Sequence, residues 1–246
     1  MDVAVSVRRL RKSYNGREVF RDLSLDVAKE KITAIFGPNG SGKSTLFNVL
    51  AGVLPKDGGD YSLAASHFSY VFQNYRDTLL PWRSARTNIA FPLQIKGLSQ
   101  ADREQRVIEL VKQFNVSLDL DVYPYELSGG QQQIVVFLRS LITKPDLLLL
   151  DEPFSALDYE NTLRLRNELQ EYYLATKATV FIITHDIEEA VHLASDIVVF
   201  SSSPTRILGT VQNDMPYPRT VDAMKIEPFH RVKNEVLELF QSAVKI

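Results

Sequence analysis

Cysteine is absent from the 246-residue sequence, and tryptophan occurs only once. Without cysteine the chain can form neither disulfides nor thiolate metal sites. No apolar run approaches the roughly 18 residues that a membrane-spanning helix needs. Residues 1–12 are charged early and lack an apolar segment, so we expect no signal peptide. These absences predict a soluble, cytosolic protein that would act at a membrane only by holding a partner that spans it.

The sequence also lacks a large excess of either charge, since its formal net charge is -2 at pH 7. A nucleic-acid-binding domain usually carries a strong basic patch, so we expect no nucleic-acid partner. Hydrophobic residues make up 45% of the chain and charged residues 24%, which is typical of a globular protein with a large core. The length fits one large domain, or a core with a subdomain.

A glycine-rich segment at residues 37–45 carries the strongest functional signal. It has the pattern G-x-x-x-x-G-K-[ST] and consists of Gly37, Pro38, Asn39, Gly40, Ser41, Gly42, Lys43, Ser44 and Thr45. An apolar run predicts a buried strand before it, and residues 46–50 predict a helix after it. In that context the backbone N–H groups and the positive end of the helix face a polyphosphate. Lys43 would reach the β- and γ-phosphates and the Ser44 hydroxyl would ligate Mg²⁺, so the segment predicts a nucleoside-triphosphate site.

Two further predicted strands end in polar side chains that suit the same chemistry. Four leucines precede Asp151 and Glu152, and the apolar run 178–184 precedes His185. The carboxyl ends of parallel strands are where open α/β sheets bind ligands. Asp151 would hold the Mg²⁺ shell, Glu152 would orient and deprotonate a water molecule, and His185 would lie beside the γ-phosphate.

A second glycine pair opens a predicted helix at Ser128, Gly129, Gly130 and Gln131. Ser128 can cap that helix, and the glycines leave backbone N–H groups uncovered, as an anion site requires. The body of the helix, residues 134–141, is apolar on nearly all sides and is expected to be buried, with Pro145 beyond its end.

The remaining patterns predict an alternation of strands and helices. Strands are expected at residues 3–10 and 18–36, at 68–72 just before Gln73, and at 196–201 as the last strand of the core. Helices are expected at residues 99–114 and 227–242, and residues 211–219 are expected to form a loop.

Two aromatic residues leave alternatives open. Tyr14, beside an Asn-Gly turn, either stacks on an adenine or covers the end of a hairpin. Trp82, in a loop, either anchors an interface or fills a local core.

The motifs, in their order along the chain, closely resemble those of the ATP-binding subunit of ABC transporters, over essentially the whole sequence. The segment Leu-Ser-Gly-Gly-Gln at 127–131 is diagnostic of that superfamily, whereas the phosphate loop is shared by many NTPases. Residues 151–158, Asp-Glu-Pro-Phe-Ser-Ala-Leu-Asp, resemble an importer subunit. Residues 80–83 with 88–89 and the tail 214–219 are similar to the nitrate/sulfonate/taurine group.

The resemblance implies an α/β fold, a P-loop NTPase (RecA-like) core with an antiparallel β subdomain and a helical signature subdomain. It implies a single ABC ATPase domain over 1–246, divided into a core with the β subdomain at 1–88 and 143–212, the helical subdomain at 89–142, and a C-terminal tail and helix at 213–246.

The resemblance also implies a role for each motif. Tyr14 would stack on adenine, and Gly40, Gly42, Lys43, Ser44 and Thr45 would hold phosphates and metal. Gln73 would contact Mg²⁺ and the attacking water and relay the nucleotide state to a membrane partner. Glu152 would be the general base, Asp151 a ligand in the metal shell, and His185 the γ-phosphate sensor. The segment Ser128, Gly129, Gly130 and Gln131 would bind the ATP of a second copy, with Asp158 at the dimer seam.

The implied function is that of an ATPase that drives an importer. ATP and Mg²⁺ are the implied cofactors, and the implied partners are a second copy or a homologous ATPase subunit, a transmembrane permease and, indirectly, a substrate-binding protein. The chain would lie peripherally on the cytoplasmic side of the cell membrane. A soluble ABC-type ATPase of an assembly system and a nucleotide-binding regulator without hydrolysis remain alternatives, and the transported solute stays open.

Two departures from the family pattern affect these expectations. Ile134 stands where the family usually has an arginine, which bears on turnover, and we expect it on the face toward the second copy. The stretch between Gly52 and Phe68 is shorter than usual, so we expect an abridged antiparallel subdomain.

Overall fold

The computed structural model describes residues 2–243, and two sheets organise that part of the chain. The strands are β1 Val3–Tyr14, β2 Arg17–Ala28, β3 Ile32–Phe36, β4 Gly58–Leu63, β5 Phe68–Val71, β6 Leu147–Asp151, β7 Thr179–Thr184, β8 Asp196–Phe200 and β9 Ile207–Gln212. The helices are α1 Lys43–Leu50, α2 Ala85–Ile95, α3 Gln100–Gln113, α4 Gly129–Leu141, α5 Tyr159–Thr176, α6 Ile187–Leu193 and α7 Glu227–Ala243. Short 3₁₀ turns lie at Tyr75–Thr78, Pro124–Glu126 and Val221–Lys225.

The larger sheet has the strand order β5-β6-β7-β3-β8-β9. All its neighbouring strands run parallel except β9, which pairs antiparallel with β8. Residues of β3, β6 and β7 are buried throughout, as expected for a parallel sheet covered on both faces. The parallel arrangement brings the carboxyl ends of β3, β5, β6 and β7 to one edge, so the loops that follow them meet there.

The four leucines of β6 divide between the two faces of the sheet. Leu148 and Leu150 pack into a core shared with the helices, whereas Leu147 and Leu149 pack toward the smaller sheet and α1. This alternation follows from the two-residue repeat of a strand, which points successive side chains to opposite faces. The strand is therefore fixed from both sides just before Asp151.

The smaller sheet is antiparallel, with the order β2-β1-β4. Its first hairpin turns at Asn15 and Gly16, both with positive φ, as the Asn-Gly pair predicts. The strand β4 lies within the stretch that we expected to be abridged and supplies the third strand of the antiparallel part.

The helices α2, α3 and α4 pack together beside the larger sheet. As the spacing of Ser99 and Asp102 predicts, Ser99 caps α3, its Oγ accepting from the Asp102 N–H at 3.2 Å. The apolar body of α4 is buried, also as predicted. The expectation that Ile134 faces a second copy is wrong, because only 5% of Ile134 is exposed and it packs in the core.

Several elements were not predicted from the sequence, among them the strand β9 and the helix α6. Residues 196–200 form the strand β8, but the expectation that it is the last strand of the core is wrong. The strand β9 follows and pairs with β8 at the edge of the sheet. It was missed because alternate positions of an edge strand face solvent and its apolar pattern is weak. The helix α6 has only seven residues, too few for a clear helical period.

Candidate nucleotide-binding site

The loops at the carboxyl edge of the larger sheet surround a cleft of about 550 Å³. Its lining residues are Tyr14, Arg17, Val19, Asn39, Gly40, Gly42, Lys43, Ser44, Thr45, Gln73, Glu152, His185 and Ser203. The structure thus brings together residues from six segments that are far apart in the sequence, and most of the predicted site residues are among them.

The phosphate loop has the backbone that its sequence predicts. Gly42 adopts φ of +87°, and a Cβ there would lie 2.4 Å from Val19 Cγ1, so both conformation and space favour glycine. Lys43 is buried, and its Nζ donates to the carbonyl oxygens of Gly37 at 2.8 Å and Pro38 at 2.9 Å. Burial lowers the pKa of Lys43, while the carboxylates of Glu152 and Asp151 oppose that shift. Ser41, a residue of the loop itself, is buried and does not line the cleft.

Asp151 lies under the phosphate loop with only 1% of its surface exposed. Neither of its carboxylate oxygens has a hydrogen-bond partner within the described chain. Burial raises its pKa to about 6; the nearby Ser44 hydroxyl opposes that shift and the Glu152 carboxylate adds to it. A buried, unpartnered carboxylate beside a serine hydroxyl is the oxygen-ligand chemistry that Mg²⁺ prefers, so the residues present fit that ion.

Glu152 and His185, which directly follow the neighbouring strands β6 and β7, form a pair. The Glu152 Oε1 atom lies 3.1 Å from His185 Nδ1. Glu152 is largely buried, whereas more than half of the His185 side chain is exposed toward the cleft. The Glu152 backbone is in the left-handed region with φ of 50°, which is uncommon for a residue other than glycine.

Tyr14 and Trp82 are both exposed, which bears on the two alternatives that the sequence left open. Tyr14 lies on the wall of the cleft and is 42% exposed, with Lys12 Nζ 5.4 Å from its ring centroid. The exposed fraction of Trp82 is 71%, so the alternative of a local core is wrong. Gln73 also lines the cleft.

The residues at 128–131, here called the signature turn, do not line the cleft. Ser128 caps α4, its Oγ accepting from the Gln131 N–H at 3.3 Å while its own N–H donates to Gln131 Oε1 at 2.9 Å. Asp158 is also outside the cleft and caps α5, accepting from the Asn161 N–H at 2.8 Å. That hydrogen bond lowers the pKa of Asp158.

Sequence analysis missed several residues of the site. Arg17 and Ser203 line the cleft, but neither belongs to a motif, and Ser203 lies far along the chain from the phosphate loop. Gln133 was also missed, although its Nε2 donates to the Glu152 carbonyl oxygen at 3.1 Å. No sequence signal indicates it, because Gln133 is the last of three consecutive glutamines and only its burial in the folded chain sets it apart from the other two.

A groove of about 300 Å³ lies between α2 and α3 and is lined by charged and polar side chains, among them Arg83, Arg86 and Glu104. Trp82 directly precedes Arg83 in the chain. Between residues 2 and 243, no helix combines the length and the hydropathy needed to cross a bilayer.

Comparison with known proteins places the chain in a family. Residues 20–155 match the family described as ABC transporter. The chain is 34% identical over 255 residues to an uncharacterised ABC transporter ATP-binding protein of Methanocaldococcus jannaschii, a match that covers 99% of this chain and 94% of the relative. It is 36% identical over 211 residues to the taurine import ATP-binding protein TauB of Escherichia coli, covering 83% of this chain and 82% of the relative.

Solved structures show the same fold. Two dimeric structures of the ATP-binding cassette MJ0796, one in a post-hydrolysis state bound to ADP and Pi, match with a TM-score of 0.73 at 26% identity. Each match covers 79% of this chain and 93% of the other. The expected ABC ATPase fold is confirmed. By sequence and by fold, the chain belongs to the ABC transporter family and is an ATP-binding subunit that hydrolyses ATP.

Proposed function

We propose that this chain is the energy-coupling ATPase of an importer that takes up a small solute of the nitrate, sulfonate or taurine kind. One observation carries the proposal. The cleft gathers Tyr14, the phosphate loop, Gln73, Glu152 and His185, whereas the signature turn lies outside it. A cleft that holds ATP from one side only needs a second surface to close it, and the similarity to a taurine import protein supports the importer assignment.

The phosphate loop and Asp151 would hold the triphosphate and its metal. Lys43 would exchange its two loop carbonyls for phosphate oxygens, since an ammonium group gains more from an anion than from a neutral acceptor. Ser44, Gln73 and Asp151 would hold Mg²⁺, which when bound neutralises charge on the phosphates.

Glu152 would activate the attacking water and His185 would contact the γ-phosphate. The two side chains touch at 3.1 Å, so the histidine also orients the carboxylate. Tyr14 would stack on the adenine. With water, base and phosphate held in line, hydrolysis proceeds by positioning and charge stabilisation.

A second copy would complete each site. Its signature turn, Ser128 to Gln131, would cover the γ-phosphate with backbone N–H groups at the start of α4, and Asp158 would lie at the seam between the copies. The dimeric cassettes among the similar structures support this arrangement. Residues 89–142 would form the helical subdomain that carries the signature turn, with the core and β subdomain at 1–88 and 143–212 and the tail at 213–246.

A membrane permease is the proposed partner that the cycle of ATP binding and hydrolysis drives. The chain would lie peripherally on the cytoplasmic side of the membrane. The exposed Trp82 and the groove between α2 and α3 offer an aromatic anchor beside charged side chains. A substrate-binding protein would deliver the solute to that permease.

Phosphate release by the purified chain, with and without the permease that co-purifies with it, tests the proposal. We expect MgATP hydrolysis by the wild-type chain with its permease and its loss in Glu152→Gln. A co-purified soluble scaffold without spanning segments would favour the alternative of an assembly ATPase. Unchanged phosphate release by Glu152→Gln would overturn the assigned role of this carboxylate.

A further inference from the structure

Gln133 is almost fully buried one turn into α4, and all its side-chain hydrogen bonds go to residues 152–156. Its Nε2 donates to the Glu152 carbonyl oxygen at 3.1 Å and lies 3.5 Å from Ser155 Oγ. Its Oε1 accepts from the Ala156 N–H at 2.9 Å. One side chain therefore ties the helix of the signature turn to the segment that begins with the general base.

These contacts hold Glu152 in an unfavourable backbone conformation. A left-handed conformation is unfavourable for a residue with a Cβ, so it persists only where the surroundings impose it. The Glu152 N–H donates to Ile183 O at 2.9 Å, and its carbonyl oxygen accepts from Ser155 N at 3.3 Å as well as from Gln133. This backbone sets where the carboxylate meets His185.

The signature turn itself packs against the same segment. A Cβ at Gly130 would lie 3.3 Å from the Ala156 carbonyl oxygen and equally close to Leu157 Cδ2. Gly130 and Gln133 are three residues apart, so they lie on one face of α4. Through these two positions, α4 contacts residues 152–157.

We propose that Gln133 is a positioning residue for hydrolysis, fixing the Glu152 backbone from the helix whose first turn contacts the partner's ATP. A shift of α4 on contact with that ATP is passed through Gln133 to the general base of its own subunit. This inference rests on the proposed composite site and adds a link between its two halves.

The test compares Gln133→Met with Gln132→Met. Gln132 is the neighbouring glutamine of α4, and its Nε2 donates to Pro124 O and Leu127 O instead of to residues 152–156. Methionine matches glutamine in length but makes neither hydrogen bond. We expect Gln133→Met to lower kcat about tenfold or more with KM for ATP changed less than about twofold, and Gln132→Met to keep kcat within about twofold. A second variant, Gln133→Glu, keeps an acceptor for Ala156 N–H and loses the donor to Glu152.

ATP-driven dimerisation, measured in the Glu152→Gln background, distinguishes a positioning role of Gln133 from misfolding of the variant. It also tests the composite site independently of Gln133. With Gln133→Met added, we expect the dimer to form as before, because Gln133 is proposed to act in hydrolysis, which follows ATP binding. A wild-type kcat in folded Gln133→Met or Gln133→Glu would overturn the proposal. An equal loss of kcat in Gln132→Met would overturn it too, as would a loss of activity in Gln133→Met that a higher KM for ATP explains. Absence of the dimer in Glu152→Gln alone would instead refute the composite site.

Discussion

Burial at the end of β6 sets the protonation behaviour of Asp151. Its pKa of about 6 in the folded chain lies above the ordinary value of 3.8. As pH rises from about 4 to 6, the Asp151 carboxyl therefore loses its proton in the unfolded chain before it does so in the folded chain, and the free energy of unfolding falls. This loss of stability is absent at pH values below 3.8 and complete at pH values above about 6.

Asp151→Asn should consequently stabilise the ligand-free chain at pH 7.5. A shift of this size corresponds to roughly 3 kcal/mol in the free energy of unfolding as an upper bound, and the gain should shrink as pH falls toward 4.5. Urea unfolding of both proteins at the two pH values measures it. A stability difference that does not change with pH would show that the carboxylate is not perturbed.

The exposed ring of Tyr14 makes a second prediction at the residue scale. Loss of a stacking ring typically costs about 1–3 kcal/mol for one base, so Tyr14→Ala should weaken ATP binding about tenfold. Tyr14→Phe retains the ring and serves as the matched control, with affinity near that of the wild-type chain. Equilibrium binding of a fluorescent ATP analogue distinguishes them, and equal affinity of all three proteins would place the base elsewhere.

At the scale of elements, Arg219 fastens the tail to the core. It is 1% exposed, and its guanidinium donates to the carbonyl oxygens of Val191, Ala194, Asn213 and Met215. Its own N–H donates to Gln170 Oε1 on α5 at 2.7 Å. The stretch that the sequence predicts as a loop is thereby fixed against α5 and the end of α6.

Arg219→Met should therefore lower the free energy of unfolding by about 3 kcal/mol or more, since several buried carbonyl groups lose their donors. KM for ATP should stay within about twofold, because Arg219 is not among the residues that line the nucleotide cleft. Chemical denaturation and steady-state kinetics measure the two effects. A stable variant with a raised KM would contradict the structural role.

Sequence patterns predicted the elements that carry strong local signals. The phosphate loop, the buried strands before Asp151 and His185, and the capped helix α3 all appear where their residues indicate. The edge strand β9 and the short α6 lacked such signals, and Ile134 was placed on the surface by analogy although its apolar side chain favours the core. Arg17, Ser203 and Gln133 reach the site only through tertiary packing, which no spacing rule encodes.

At the scale of the whole molecule, the exposure of Trp82 indicates where the chain would contact a membrane permease. A large exposed aromatic side chain is a common anchor of an interface. Trp82→Ala should release the co-purifying permease while ATP binding by the isolated chain is unchanged. Ile226→Ala, which truncates another exposed apolar side chain, is the control and should retain the permease. Full retention by Trp82→Ala would move the contact elsewhere.

The central claim is that one ATP site needs two copies of this chain, and the mass of Glu152→Gln in solution tests it most directly. This variant keeps the cleft and the signature turn but lacks the proposed general base, so ATP should remain bound and hold two copies together. Light scattering should give the monomer mass of 27.9 kDa without nucleotide and twice that mass with saturating MgATP. A mass that stays at the monomer value with saturating MgATP would contradict the account.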